Sequence, residues 1–350
     1  MKKLLPLVLT LSVSLCLASP SHAAQAEIEQ VITALEIMQG DHTGNLNLQN
    51  PVNRAEFITM SVNLLLGKNQ VSTPTTSPYP DVSRDHWSAP YVVAGVQYEL
   101  IAGYADGTFR PGNQITLGEA SVIIPKLLGY TTADFSGVSM EGRVLWMATN
   151  DMLDNVTVSG AYDALTRYDT MHLFYNALTA STKQGTPLIT TMGYPVTASG
   201  EIDRVALLTS TMEGPLQATL NWQSSIPITN YLAISINGTP SNASDIRPND
   251  LIYWSTPART LWVYRSQITG ILGAVSPNNT VTISNNTYAI ETEQATYALS
   301  SLGSFRQGDL VTALLGRDGG IAVISTPMAG VDSVCGLVLA RTTTSYDDGA

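Results

Sequence analysis

Few residues in this chain have the type and spacing to do chemistry, and most fail once their neighbours are considered. The loop GYADGTFRPGNQITLGEA, Gly103 to Ala120, gathers an aspartate, glycines, an aromatic ring, an arginine and a proline. Asp106-Gly107 faintly echoes a calcium loop, but the alternating carboxylates and closing glutamate of such a loop are missing, so a tight turn is the better reading. Beyond the leader only His42, His86 and His172 remain, none in the C-terminal part, which excludes a Ser-His-Asp triad or a histidine metal site confined there. No G-x-S-x-G or H-E-x-x-H run occurs. Glu201, Asp203, Asp250 and Asp309 could in principle form a glycosidase pair, yet most lie next to turns, where Asp serves local hydrogen bonding. No catalytic residue, metal ligand or cofactor is therefore assigned. Binding chemistry is left. Arg54 and Arg167 each stand at the start of a helical run, where a guanidinium offers a donor fork that fits a carboxylate. A helix start adds backbone N–H groups and the positive end of the dipole. The plain alternative is that both are solvated first-turn residues.

The elements that carry them repeat. A shift of 63 lays Met38–Phe57 over residues 101–120 without a gap, so that Gly40 meets Gly103, Gly44 meets Gly107, Leu46 meets Phe109, and Glu56 meets Glu119. A weaker third copy ends in ALTRYDTMHLFYNAL, Ala164 to Leu178. Each copy reads helix, loop, helix. Asn53, Thr116 and Thr166 are the expected caps of the second helices, with Glu56 and Glu119 placed for capping boxes. In the middle copy Leu117 stands where the others have arginine. Two short helices cannot bury an apolar face alone, so the three units should share one core.

After a Thr/Gly/Pro-rich connection at 183–204 the texture turns to short alternating β runs. Asn237-Gly238, Asn285-Asn286 and Asp318-Gly319 signal hairpins. Units of this size suit small antiparallel barrels, at 205–268 and 269–334. A further β unit is expected to begin at 335 and to be cut short, since Asp348-Gly349 reads as a turn without its return strand. Lys2, Lys3, the apolar run Leu4 to Leu17 and small residues up to Ala26 read as a secretory leader, 1–26. Leu15 before Cys16 argues against lipidation, and without the leader Cys335 is the one cysteine left, so no internal disulfide forms. No later stretch is apolar and long enough to span a membrane. The net charge of −11 becomes −13 without Lys2 and Lys3, which argues against nucleic acid or anionic membrane as a partner.

YPDVSRDHWSAPYVVAGVQYELIAGYADGTFRPGNQITLGEA resembles the S-layer homology module, with its F-x-D-V, H-W, G-Y-x-D-G-T-F-x-P and I-T-R-A-E pattern. VNRAEF at 52–57 resembles the TRAE signature, and LTRYDT at 165–170 is a looser version. The resemblance covers about half of the mature chain. It implies a multidomain α plus β protein: an all-α pseudo-threefold bundle of three modules (27–69, 79–130, 131–182), followed by β modules of the kind found in Gram-positive surface proteins. It implies non-covalent anchoring to secondary cell-wall polysaccharide, a peptidoglycan-linked glycan, commonly through a pyruvylated amino sugar bound between modules. Carried over by position, Arg54 and Arg167 are the anion contacts. Trp87 is a candidate wall against a competing core role, Asp81 orders the module entry, and Tyr104 covers the groove or the module surface. Glu56 and Glu119 are capping partners with a site role as the alternative. Arg110 or Arg84 could stand in for the arginine missing at Leu117. The β modules would be spacer, scaffold or adhesin. The rival readings are a wall-associated hydrolase whose catalytic domain lies outside this chain, and a surface-layer lattice subunit that self-associates.

Overall fold

The computed structural model describes residues 22–327 except 69, 277 and 278. Most of the expected leader, both cysteines and the β unit expected at 335–350 lie outside the described residues. The chain divides into two compact units, with the division after Thr211.

The first unit is helical, and each of its repeats is a helix pair. These are α1 (His22–Ala34) with α2 (Arg54–Leu66), α3 (Ala89–Gln97) with α4 (Leu117–Leu127), and α5 (Met140–Thr149) with α6 (Arg167–Thr179). Helix α1 starts at His22, so the leader boundary expected at 26 falls inside it. The second helix of each pair packs on the first helix of the next: α2 on α3, α4 on α5, and α6 back on α1. This exchange closes a ring of three. It answers the problem that no pair can bury its apolar face unaided. Phe57 and Phe174, from α2 and α6, meet in the shared core with ring centroids 5.2 Å apart.

The connection expected at 183–204 is not a bare linker. Helical turn α7 (Leu188–Thr191) buries Leu188 and Ile189, and α8 (Arg204–Ser210) packs on α1, where Arg204 pairs with Glu27 at 2.8 Å. The Thr/Gly/Pro composition hid two buried anchors at a spacing too short to show periodicity.

The second unit carries two five-stranded sheets. In the first, β1 (Glu213–Gln217), β2 (Ala233–Ile236), β3 (Thr239–Pro240), β4 (Leu251–Ser255) and β5 (Thr260–Tyr264) lie in the order β1-β4-β5-β2-β3. The β2–β5 pair is parallel, which the hairpin signals did not foretell. In the second, β6 (Gln267–Ser276), β7 (Thr280–Ile283), β8 (Asn286–Ala289), β9 (Leu310–Leu315) and β10 (Ile321–Ser325) lie in the order β10-β9-β6-β7-β8. A single parallel bridge, Ile290 to Ile321, joins its two ends, and α9 (Glu293–Leu299) packs on β10. Asn237 and Gly238 both have positive φ, as a tight hairpin turn requires. The turn expected at Asn285-Asn286 sits one residue earlier, with positive φ at Ser284 and Asn285.

Candidate functional site

The three second helices begin around one axis and are tied together there. Val52 donates to the Leu165 carbonyl, Leu165 to that of Ile115, and Ile115 to that of Val52, each at 3.0 Å. All three side chains are buried. Beyond this ring the caps are complete: Asn53 with Glu56, Thr116 with Glu119, and Thr166 with Asp169 each form a reciprocal capping box. The next donors are used as well. Arg54 and Ala55 donate to Asn113 and Pro111, Leu117 and Gly118 to Asp163 and Ala161, and Arg167 and Tyr168 to Asn50 and Leu48. No first-turn N–H is left over at any of the three starts, so the expectation that helix ends add donors to a ligand site is corrected. The backbone of a neighbouring repeat has taken that place.

What projects beyond the ring is the first side chain of each helix, and it reaches into the next repeat. Arg167 reaches into the first repeat, where its Nε donates to the Leu46 carbonyl at 2.5 Å and its Nη2 to that of Gln39 at 2.7 Å. No carboxylate among the described residues lies within ion-pairing distance of it. Burial pushes its pKa below the ordinary arginine value, and the Glu56 charge nearby opposes that shift. Arg167 lines a groove of about 170 Å³ with Ile37, Glu56, Met60, Trp87 and Tyr91. Trp87 is 55% exposed, so the core role that competed for it is excluded by its position.

Arg54 lines the equivalent groove one repeat on, about 230 Å³, with Tyr104, Glu119, Ile123 and Met140. Its surroundings differ. Arg54 Nη1 lies 2.8 Å from Glu119 Oε1, and Nε donates to the Phe109 carbonyl at 2.9 Å. The guanidinium stands over the rings of Tyr104 and Phe109, at 4.7 and 4.9 Å. Tyr104 donates its hydroxyl to the same Glu119 oxygen at 2.6 Å. At the third position Leu117 is fully buried, and the matching carboxylate, Asp169, is buried too, accepting from the backbone and hydroxyl of both Thr157 and Thr166. Those bonds hold the Asp169 carboxyl below the usual range despite its burial, which acts in the opposite direction and is the largest single influence.

The structure thus brings Arg167, Glu56 and Trp87 together, sets Arg54 and Tyr104 in a second groove, and places Asp81 in neither. Both Asp81 oxygens accept backbone N–H groups, of Phe109 at 2.9 Å and Arg110 at 2.6 Å, which pins the loop. Arg110 pairs with Asp106 at 2.9 Å and covers the outer face of Tyr104, and Arg84 is exposed beside Asp85. Neither lines the groove of Arg54 or of Arg167. Sequence reasoning missed Tyr91, Met140 and the pairing role of Glu119. The 63-residue shift that lays Glu56 over Glu119 carried part of that signal.

Residues 78–121 match the profile described as S-layer homology domain. The chain is 24% identical over 266 residues to the "Middle cell wall protein" of Brevibacillus brevis, a match covering 71% of this chain and 25% of that protein. It is 30% identical over 145 residues to a "Surface layer protein" of Brevibacillus choshinensis, covering 37% and 13%. With a "Cellulosome-anchoring protein" of Acetivibrio thermocellus it shares 32% over 110 residues, covering 31% and 24%. The chain therefore spans a quarter or less of each of these relatives. The domain and the relatives together mark a secreted cell-surface protein.

Proposed function

We propose that this chain, which carries an S-layer homology domain, holds a secreted protein to the cell wall by non-covalent binding of an acidic wall polysaccharide. The helical unit acts as the pseudo-threefold binding bundle, and the β units, read as small barrel-like modules, serve as spacer, scaffold or adhesin. One observation carries the reading: Arg167 presents a half-buried guanidinium, without an ion pair among the described residues, in a groove walled by the exposed Trp87. A partly desolvated cation held by neutral carbonyls gains most from an anionic ligand. A sugar-borne carboxylate, such as the pyruvate ketal of an amino sugar, supplies the anion. Its ring supplies an apolar face for Trp87. The cellulosome-anchoring relative supports an anchoring role by its name.

The test is cosedimentation with purified wall sacculi before and after the polysaccharide is stripped. The intact chain should pellet only with unstripped sacculi, and Arg167→Ala and Trp87→Ala should each stay largely in the supernatant. Equal pelleting with stripped sacculi overturns the assignment of the polysaccharide as partner.

A further inference from the structure

We infer that only one of the two arginine grooves accepts an anion, and that Glu119 is the residue that closes the other. The inference rests on the reading of the Arg167 groove as an acid-binding site. It adds what the chain does with its second copy of that site.

Arg54 and Arg167 are equivalent by position, and each faces a glutamate, Glu119 or Glu56, from the capping box of the next repeat. The two glutamates are used differently. Glu56 accepts the Asn53 N–H through Oε2 and makes no ion pair with Arg167. Glu119 keeps the same capping bond, from Thr116 N to Oε2, and turns its other oxygen to Arg54. One donor of the Arg54 guanidinium, Nη1, already meets a carboxylate, whereas the donors used on Arg167 meet only neutral carbonyls.

The cause lies in the loop. Tyr104 donates to Glu119 Oε1 and lies beneath the guanidinium, so it holds acid and base together. One repeat earlier the same position is Asp41, whose carboxylate is turned away to Thr43, Asn45 and Asn47. No hydrogen bond from Asp41 holds Glu56 against Arg167 as Tyr104 holds Glu119 against Arg54. With side chains only 9% and 16% exposed, the Arg54–Glu119 pair is sheltered from the water and salt that would screen it. An incoming carboxylate would have to displace Glu119 from Arg54, whereas Glu56 in the other groove is bonded to Asn53 N–H and would not have to leave Arg167. The Arg54 groove therefore presents apolar walls, Ile101, Val122 and Ile123, around a neutralised pair.

The experiment is isothermal titration of the full chain with a pyruvate-ketal N-acetylhexosamine. Wild type should show one site per chain. Glu119→Gln should show two, because glutamine can still accept the Thr116 N–H and keep the cap while losing the charge. Arg167→Ala should show none, and Arg167→Ala combined with Glu119→Gln should regain one. Two equal sites in wild type, or a Glu119→Gln protein that stays at one, overturns the inference and leaves the Arg167 site standing. Absence of binding by both wild type and Glu119→Gln overturns the acid-binding reading and the inference together. Thermal melting of Glu119→Gln, expected to show a cooperative transition lowered by loss of the buried pair but still well above the titration temperature, shows that the count comes from a folded protein.

Discussion

Replacing each arginine by alanine should separate a structural cation from a binding one. Arg54→Ala breaks an ion pair at 2.8 Å between two nearly buried side chains, loses the bond to the Phe109 carbonyl, and removes a guanidinium from two aromatic faces. Breaking a buried pair costs about 3–5 kcal/mol because a charge is left uncompensated. Glu119 would still accept from Tyr104 and Thr116, so the lower end, about 3 kcal/mol, is expected. In a unit of this size that lowers the melting temperature by roughly 6–12 °C. Arg167→Ala loses two bonds to neutral carbonyls, but it also removes a partly desolvated cation that has no ion pair among the described residues. The two effects oppose each other, and the net cost should stay below about 1 kcal/mol. Binding should run the other way. Well below its melting temperature Arg54→Ala should keep wild-type affinity for the wall glycan, while Arg167→Ala loses it. Differential scanning calorimetry of the full chain and sacculus cosedimentation read the two quantities. Equal destabilisation by both substitutions, or wild-type pelleting by Arg167→Ala, would refute the division of roles.

Two further predictions concern the frame that holds the arginines. Gly118→Ala places a Cβ 2.6 Å from the Ala161 carbonyl oxygen, a backbone atom already accepting the Gly118 N–H at 2.7 Å, so the contact can relax only by parting α4 from the third repeat. A loss of about 1–3 kcal/mol in urea melts is expected despite alanine's better helix propensity, and an unchanged midpoint would show that the ring yields freely. His172 is 1% exposed beside the Tyr168 ring, with no hydrogen-bond partner on either ring nitrogen, and burial pushes its pKa below 6.5. The folded chain therefore binds fewer protons than the unfolded one below that value, and stability should fall as pH drops from 6.5, at up to about 1.4 kcal/mol per pH unit. His172→Leu should flatten urea-derived stability between pH 5 and 6.5, and an unchanged slope would refute the assignment. Asp169 acts in a separate window: its pKa is lowered from 3.8, so its contribution is lost only below that value.

Much of this was legible in local sequence. The caps at Asn53, Thr116 and Thr166 and the boxes they form depend on residues three apart, and such spacing survives the passage from sequence to structure. The hairpin at Asn237-Gly238 is local in the same way. The ring was not legible, because Val52, Ile115 and Leu165 pair across separations of 50 residues or more, and no periodicity encodes which repeat follows which around an axis. For the same reason Arg54 and Arg167 looked equivalent. Their difference is set by Tyr104 and Asp41, residues on other segments that the fold places beneath or away from the guanidinium. Exposure of Trp87 was hidden too, since an aromatic residue at a helix entry serves core and surface equally well.

The three equivalent positions differ in what meets the first side chain of the helix. At Arg167 the half-buried guanidinium has no ion pair among the described residues; at Arg54 it pairs with Glu119; at Leu117 a buried apolar side chain stands instead, and Asp169 is satisfied by Thr157 and Thr166. The backbone ring joins the repeats at all three positions, while the side-chain bonds across the repeats differ from one position to the next. The middle repeat carries Leu117 at this position, within the segment that matches the domain profile. The segment that matches the domain profile, residues 78–121, contributes Trp87 and Tyr91 to the open groove, whose cations, Arg167 and the Glu36-paired Lys68, come from outside it. A fragment limited to the matched segment would lack Arg167 and Glu56, so the open groove exists only where all three repeats are folded together.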